Sequence, residues 1–276
     1  MNKRVLRVLR SQQKEVVQRI KDNQHPVPLD ASTRWPADLY AAEIGDGMLA
    51  AKRGYTMADV QMESLLRANR KQASKAPRVP TVGIGDEGTS FLLDPMRVSV
   101  TDYFERTSTT QASTHANKIN DTFAHVRDQQ SVDPVTGVSS STGYNPNLIA
   151  RELQRSMGGW TDNYANLISR TGVSWAQNEG AQQRYVQDGV VTHKRWYATA
   201  DERTCPYCSD MHDRIVGVSV PFLAPNSTVT GTTLDANGDE KTVEYTTTDS
   251  ATEHPPLHPM CRCTIIPEIE NITIGG

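Results

Sequence analysis

Two short runs hold all four cysteines of the chain, Cys205-Pro-Tyr-Cys208 and Cys261-Arg-Cys263, the second preceded by His258-Pro-Met. In a reducing compartment, thiols bunched as two close pairs point to a metal before they point to disulfides. Zinc favours four soft donors in a tetrahedron, and the Cys-x-x-Cys turn supplies two of them. His258, Cys261 and Cys263 compete for the remaining places, so five candidates stand for four positions. In an extended segment Cys261 and Cys263 face the same side, so either both bind, or His258 binds with one of them. The 52 residues between Cys208 and Cys261 exceed the roughly 15–20 of a zinc ribbon. Loop closure costs only about 0.6 kcal/mol per doubling of length, against roughly 10–16 kcal/mol from a structural zinc. The expected cofactor is therefore a structural zinc ion. A catalytic zinc needs an open coordination position and a general base. His212, Asp210 and Asp213 are near in sequence, but polar residues after such a turn read as surface, and no enzymatic activity is expected.

Composition suits a chain that leans on partners. Hydrophobic residues are 37%, aromatic residues 6% and mean hydropathy is −0.55, so long stretches are expected to lie exposed or against other proteins. The net charge of −3 gives no global attraction to nucleic acid or anionic lipid. The first 21 residues are locally basic, with Lys3, Arg4, Arg7, Arg10, Lys14, Arg19 and Lys21 against Glu15. They read as a solvated helix face or as a contact with DNA or an acidic partner. No run of 18 apolar residues and no apolar signal region is present, so neither a membrane span nor secretion is expected.

Along the chain, helix-period patterns dominate the first two thirds. Residues 3–22 form an amphipathic helix with a thin stripe, Leu6, Leu9, Val16, Val17 and Ile20, broken by Gln12 and Gln13. A helical region over 36–74 is expected to break around Gly45, Gly47 and Gly54 and to restart at Thr56. Residues 76–95 read as a loop. Helix resumes near Met96, and Ala112, Ala116, Ile119, Phe123 and Val126 form a narrow seam. The run 131–146 reads as a linker. A helix opens at Asn145 and Pro146, stops at Gly158 and Gly159, and a further one from Thr161 places Tyr164, Leu167, Ile168, Thr171 and Trp175 on one face.

After Gly189 the period changes. Residues 190–199 read as a strand leading into the first cysteine run, and 232–245 as a β-hairpin around an Asn-Gly turn. The fold class is thus α+β: a mostly helical N-terminal two thirds with long helices, then a small β-rich C-terminal module stapled by a metal site. The expected domains are a partner-dependent helical region, 1–144, and a second domain, 145–276. Within the latter, a zinc-type module (190–267) carries an inserted β-hairpin (226–250).

Taken alone, Cys205-Pro-Tyr-Cys208 is similar to the active-site tetrapeptide of glutaredoxins, which implies a thiol oxidoreductase built on a βαβ unit. The residues that follow reach Gly217 and a β-rich run too soon for that unit's helix. The longer pattern resembles a different family. The runs "WYATADERTCPYC" (196–208), "MHDRIV" (211–216) and "PPLHPMCRC" (255–263) resemble the C-terminal signature of the phage Mu F-like head morphogenesis, or minor capsid, proteins. "LISRTGVSWAQNEGAQQRYV" (167–186) resembles the helix before that signature, although Gly172 stands where many members have an acid.

That resemblance implies a structural component of a tailed bacteriophage, present in several copies inside the capsid near the portal vertex and in the host cytoplasm during assembly. It implies the portal and other head proteins as partners and roles in head assembly and in DNA packaging or ejection; the basic N-terminal helix, which lies outside the resembling stretch, is read from its charge as facing packaged DNA or the portal. Asp201 and Arg203 fall on motif positions and are expected to form a buried pair bracing the Cys205 turn, with Arg262 as further support of the motif. A zinc-containing nucleic-acid-binding protein is the alternative reading.

Overall fold

The computed structural model describes residues 1–22, 24–70, 94–130, 146–234, 237–248 and 250–269. Four long helices come first: α1 (Asn2–Lys21), α2 (Ala31–Arg70), α3 (Asp94–Gln130) and α4 (Pro146–Asp188). The small C-terminal module follows, with β1 (His193–Tyr197), α5 (Pro206–Met211), β2 (Ile215–Gly217), β3 (Thr228–Leu234), β4 (Glu240–Thr246) and β5 (Thr264–Glu268). The α+β architecture expected from the changing period is the one observed.

The chain divides into two compact units that interleave along it: Met1–Asp46 with Thr101–Arg170, and Gly47–Val100 with Thr171–Gly276. The expected boundary at 144/145, most of the 76–95 loop and most of the 131–146 linker lie outside the described residues.

Among the described residues, the regular elements of the first unit are all helices. Its core gathers Leu9, Val16 and Ile20 of α1, Trp35 and Leu39 of α2, Ala112 and Ile119 of α3, and Leu153, Met157 and Ile168 of α4. The α1 stripe differs from the expected one. Val5, Leu9, Gln12, Gln13, Val16 and Ile20 are buried, while Leu6 and Val17 sit at the margin. The two glutamines continue the stripe because each sets one polar atom of its amide against a partner. Gln12 Oε1 lies 2.8 Å from His115 Nδ1, and Gln13 Nε2 reaches the Gln154 carbonyl at 3.5 Å. Of the α3 seam, Ala112 and Ile119 are buried and Ala116 and Phe123 pack beside them; the Val126 side chain lies outside the described residues.

Neither expected glycine break is present. α4 runs through Gly158 and Gly159, where an added Cβ would meet nothing within 4 Å. Exposed helical glycines cost about 1 kcal/mol each relative to alanine, which burial of Leu153, Met157, Ala165 and Ile168 on the same helix outweighs.

In the second unit, α2 continues through Gly54, and Thr56 does not cap a new helix: its hydroxyl donates to the Lys52 carbonyl at 3.0 Å. Gly54 and Gly180 mark a crossing of α2 and α4. A Cβ on Gly54 would stand 1.8 Å from Gln177 O, and one on Gly180 would stand 1.9 Å from Ala51 O. The two backbones touch there because neither residue carries a side chain.

The module's main sheet has the order β2-β1-β5, antiparallel throughout. Along β1, Lys194 and Trp196 turn inward and are fully buried, with Trp196 edge-on to the Phe222 ring. The hairpin β3-β4 pairs Thr228 with Thr246 through Leu234 with Glu240, reaching beyond the 232–245 turn signal and lying within the 226–250 insertion expected, and Gly238 in its turn has φ +87°. The hairpin packs over α5, since a Cβ on Gly231 would meet the Pro206 backbone at 2.5 Å.

Candidate metal centre

The first half of the centre is a helix start. Cys205 takes extended dihedrals at the N-cap of α5, Pro206 follows at the first helical turn, and the Cys205 sulfur accepts the Cys208 backbone N–H at 3.3 Å. Proline suits that place because its missing N–H has no helical partner to lose. One helical turn then puts Cys208 beside Cys205. No βαβ unit surrounds the pair: the six-residue α5 leads into β2, which runs antiparallel to β1.

The second half is a tight turn into β5. The Cys261 N–H donates to the His258 carbonyl at 3.2 Å, and Met260 takes the left-handed conformation, φ 63°. Cys261 and Cys263 are both buried, and Arg262 between them turns the other way.

All five donors meet. The Cys205 sulfur lies 2.8 Å from His258 Nε2, the Cys208 sulfur 3.3 Å from the same nitrogen, and the Cys208 and Cys261 sulfurs are 3.6 Å apart. Two groups of three could hold a metal ion: Cys205, Cys208 and His258, and Cys208, Cys261 and Cys263, with donor atoms within 4.8 Å of one another in each. Cys208 belongs to both. His258 Nδ1 stands 2.8 Å from the Pro259 carbonyl, which can only accept, so the proton of the neutral ring sits on Nδ1 and the Nε2 lone pair faces the sulfurs.

Charge at the site follows from this crowding. Hydrogen bonding to Cys208, and then to His258, pushes the Cys205 thiol down to about 4. Cys205 in turn pushes the His258 imidazole up to about 9. Sulfur held as thiolate is the form that binds metal.

Asp201 and Arg262 tie the two halves together. Arg262 Nη1 donates to Asp201 Oδ2 at 2.6 Å and Nη2 donates to Oδ1, a two-pronged contact that holds the carboxyl well below its ordinary range. The expected Asp201–Arg203 pair takes another form. Only the Arg203 backbone N–H bonds Asp201 Oδ1, at 3.0 Å, while its guanidinium is 73% exposed and 3.9 Å from Oδ2. Nor is the pair buried, since Asp201 and Arg262 are each about a quarter exposed. Alternation along the extended run explains the exchange: with Cys261 and Cys263 inward, Arg262 must point outward, to the 199–204 turn. His212 and Asp213 stay outside both donor groups, His212 Nδ1 accepting the Ala198 N–H at 3.1 Å and Asp213 facing Arg195 at 3.1 Å.

Sequence reasoning missed a polar face of α4 that seats the second half. Asn178 Oδ1 accepts from the Ile265 N–H at 3.0 Å and from the Thr264 hydroxyl at 3.1 Å, and its Nδ2 donates to the Cys263 carbonyl at 3.3 Å. Thr171 Oγ1 accepts the Met260 N–H at 3.1 Å. The next residue along α4, Glu179, meets His254 Nε2 at 2.8 Å, while His254 Nδ1 faces the Pro255 carbonyl at 2.7 Å. Burial raises the Glu179 carboxyl, but bonds from His254, Ser99 and Gln183 outweigh it and bring the group to about 2. The available signal was helical spacing: Asn178 and Gln182 continue the face on which Thr171 and Trp175 lie.

Residues 135–266 match the family model described as Phage Mu protein F like protein, a stretch that contains all five donors, Asp201 and Arg262. No curated protein and no solved structure matches the chain.

Proposed function

We propose that this chain, which over residues 135–266 belongs to the Phage Mu F-like family, is a minor head protein of a tailed bacteriophage. In this reading it acts as a structural part of the virion at the portal vertex, takes part in head assembly and in the packaging or ejection of DNA, and catalyses no reaction. Its partners are the portal and neighbouring head proteins. Among the described residues no helix is long and apolar enough to cross a membrane.

The observation that carries the reading is the convergence of Cys205, Cys208, His258, Cys261 and Cys263, from two distant runs, inside the matched segment. A structural zinc held by four of them would close the module, which has a small apolar core of its own built on Trp196, Met211, Phe222 and Ile265. What the chain's own residues do is hold the donors in place: α5 sets the Cys205–Cys208 spacing, Asn178 fixes the strand after Cys263, and Asp201 and Arg262 lock the two halves.

The test is a particle experiment. Purified virions contain the chain at a fixed copy number, and virions assembled without it fail in DNA packaging or delivery. Full heads that form, package and infect normally without it would overturn the reading.

A further inference from the structure

The helical core of the first unit contains a polar layer. Gln12 of α1 sits on the core face between Leu9 and Val16, and Trp35 of α2 between Ala31 and Leu39. His115 of α3 lies between Ala112 and Ile119, and Thr161 of α4 between Met157 and Ala165. Spacings of three and four residues keep each of them on the inward face of its helix. None of the four is more than 2% exposed.

They meet around one ring. Gln12 Oε1 stands 2.8 Å from His115 Nδ1, and the His115 ring is 5.6 Å from the Trp35 ring and stacks on Trp160 at 5.7 Å. Thr161 is the residue after Trp160. Each of the four nonetheless keeps a buried polar atom with no hydrogen-bond partner among the described residues: Gln12 Nε2, Trp35 Nε1, His115 Nε2 and Thr161 Oγ1. Such groups are rare in protein cores and costly when left unpaired.

Their chemistry selects what pairs them. Burial pushes the His115 imidazole down to about 4, so the ring is neutral, and with Gln12 Oε1 accepting, its proton sits on Nδ1. The unpartnered atoms are then two donors, on Gln12 and Trp35, one acceptor, His115 Nε2, and a hydroxyl that does either. A cation meets two N–H groups there and an anion meets the Nε2 lone pair, so neither is matched. A molecule that both gives and takes hydrogen bonds fits all four.

We propose that the core of this unit holds one ordered water molecule, bridging Gln12, Trp35, His115 and Thr161, one side chain from each of its four long helices. It accepts from Gln12 and Trp35 and donates to His115 Nε2 and Thr161 Oγ1. Buried waters typically make about three such bonds. The bridge also fixes helix register, because sliding any one helix by a turn replaces its polar group with an apolar neighbour. The site stands apart from the metal centre and from the virion reading.

A crystal structure of the full-length chain at a resolution that shows ordered solvent tests it, together with NMR in solution. One water within hydrogen-bond distance of roughly three or more of the four atoms is expected. In solution the Trp35 indole N–H, assigned by its loss in Trp35→Phe, should show cross-relaxation with a long-lived water. The double variant His115→Phe, Thr161→Val, which removes both groups that accept from the water, should lose that signal while circular dichroism shows the helices retained. Should the double variant not fold, the density and the indole signal of the parent protein decide. Absence of solvent density at the layer, an ion in its place, or an indole proton without contact to long-lived water would each overturn the proposal.

Discussion

His258 Nε2 stands 2.8 Å from the Cys205 sulfur, while its Nδ1 is held 2.8 Å from the Pro259 carbonyl. The ring thereby aims Nε2 into a cluster of four cysteine sulfurs, where its lone pair becomes available once a bound metal displaces the proton. Cys208 is the common member of both donor groups, so it should be the least replaceable. Cys208→Ser, which breaks both donor groups, should abolish tight metal binding, whereas His258→Ala and Cys263→Ser, each leaving one group of three intact, should retain an ion with weakened affinity. Competition against a chromogenic chelator measures all three. Equal loss across the three would contradict the shared position of Cys208.

Asp201 and Arg262 bind no metal in this scheme but set the distance between the two halves. Contacts of this outer kind typically alter metal affinity by about 10- to 100-fold. Asp201→Asn should release metal to chelator faster than the parent protein while binding the same number of ions. Arg262→Lys should not restore the parent rate, because an ammonium cannot make the two-pronged contact. Arg203→Ala should leave the rate unchanged, since its guanidinium is solvent-exposed.

Two buried carboxyls give opposite pH signatures. Glu179 is brought to about 2, below its unfolded value near 4.5, so its contribution is present above pH 4.5 and is lost as pH falls toward 2. Glu43 is pushed up to about 8 by burial, which outweighs the lowering effect of Gln111 beside it. Its folded form therefore holds a proton that the unfolded chain releases, and stability falls as pH rises from about 4.5 to 8. Glu43→Gln should stabilise the protein at pH 8, on the order of a few kcal/mol, and make little difference at pH 4. Glu179→Gln should destabilise it at pH 7, by roughly 3 kcal/mol. Chemical denaturation across this pH range reads both effects, and a Glu43→Gln gain independent of pH would contradict the burial argument.

The glycines divide into two kinds. Gly158→Ala and Gly159→Ala should each raise stability by up to about 1 kcal/mol, because both positions are helical and open. Gly54→Ala and Gly180→Ala should each cost roughly 3 kcal/mol or more, because the new carbon would overlap a facing carbonyl. Thermal unfolding of the four variants checks the contrast.

That contrast also shows what could be read from residues alone. Periodicity located the long helices, the change of period located β1, and the Asn-Gly turn located the hairpin, because each is a local signal. Gly54 was legible only as a helix breaker, since a neighbour's backbone 1.8 Å from its absent Cβ leaves no trace in nearby residues. Gln12 was read as an interruption because its partner, His115, lies on another helix. At the centre, donor chemistry named the five ligand candidates. Asn178, Glu179 and His254 escaped notice because their role is to hold backbone and side chains brought together only by folding. The exchange of Arg203 for Arg262 was open to a reading of alternation along the Cys261–Cys263 run.

The most direct measurement is the metal content of the full-length protein after dialysis against buffer without added metal, followed by chelation. The prediction is one zinc per chain, held by four of Cys205, Cys208, His258, Cys261 and Cys263, with the β-rich module unfolding when the ion is withdrawn and the helical circular dichroism signal largely kept. A purified chain that carries no metal, takes up none from stoichiometric zinc and keeps its module folded in excess chelator would contradict it.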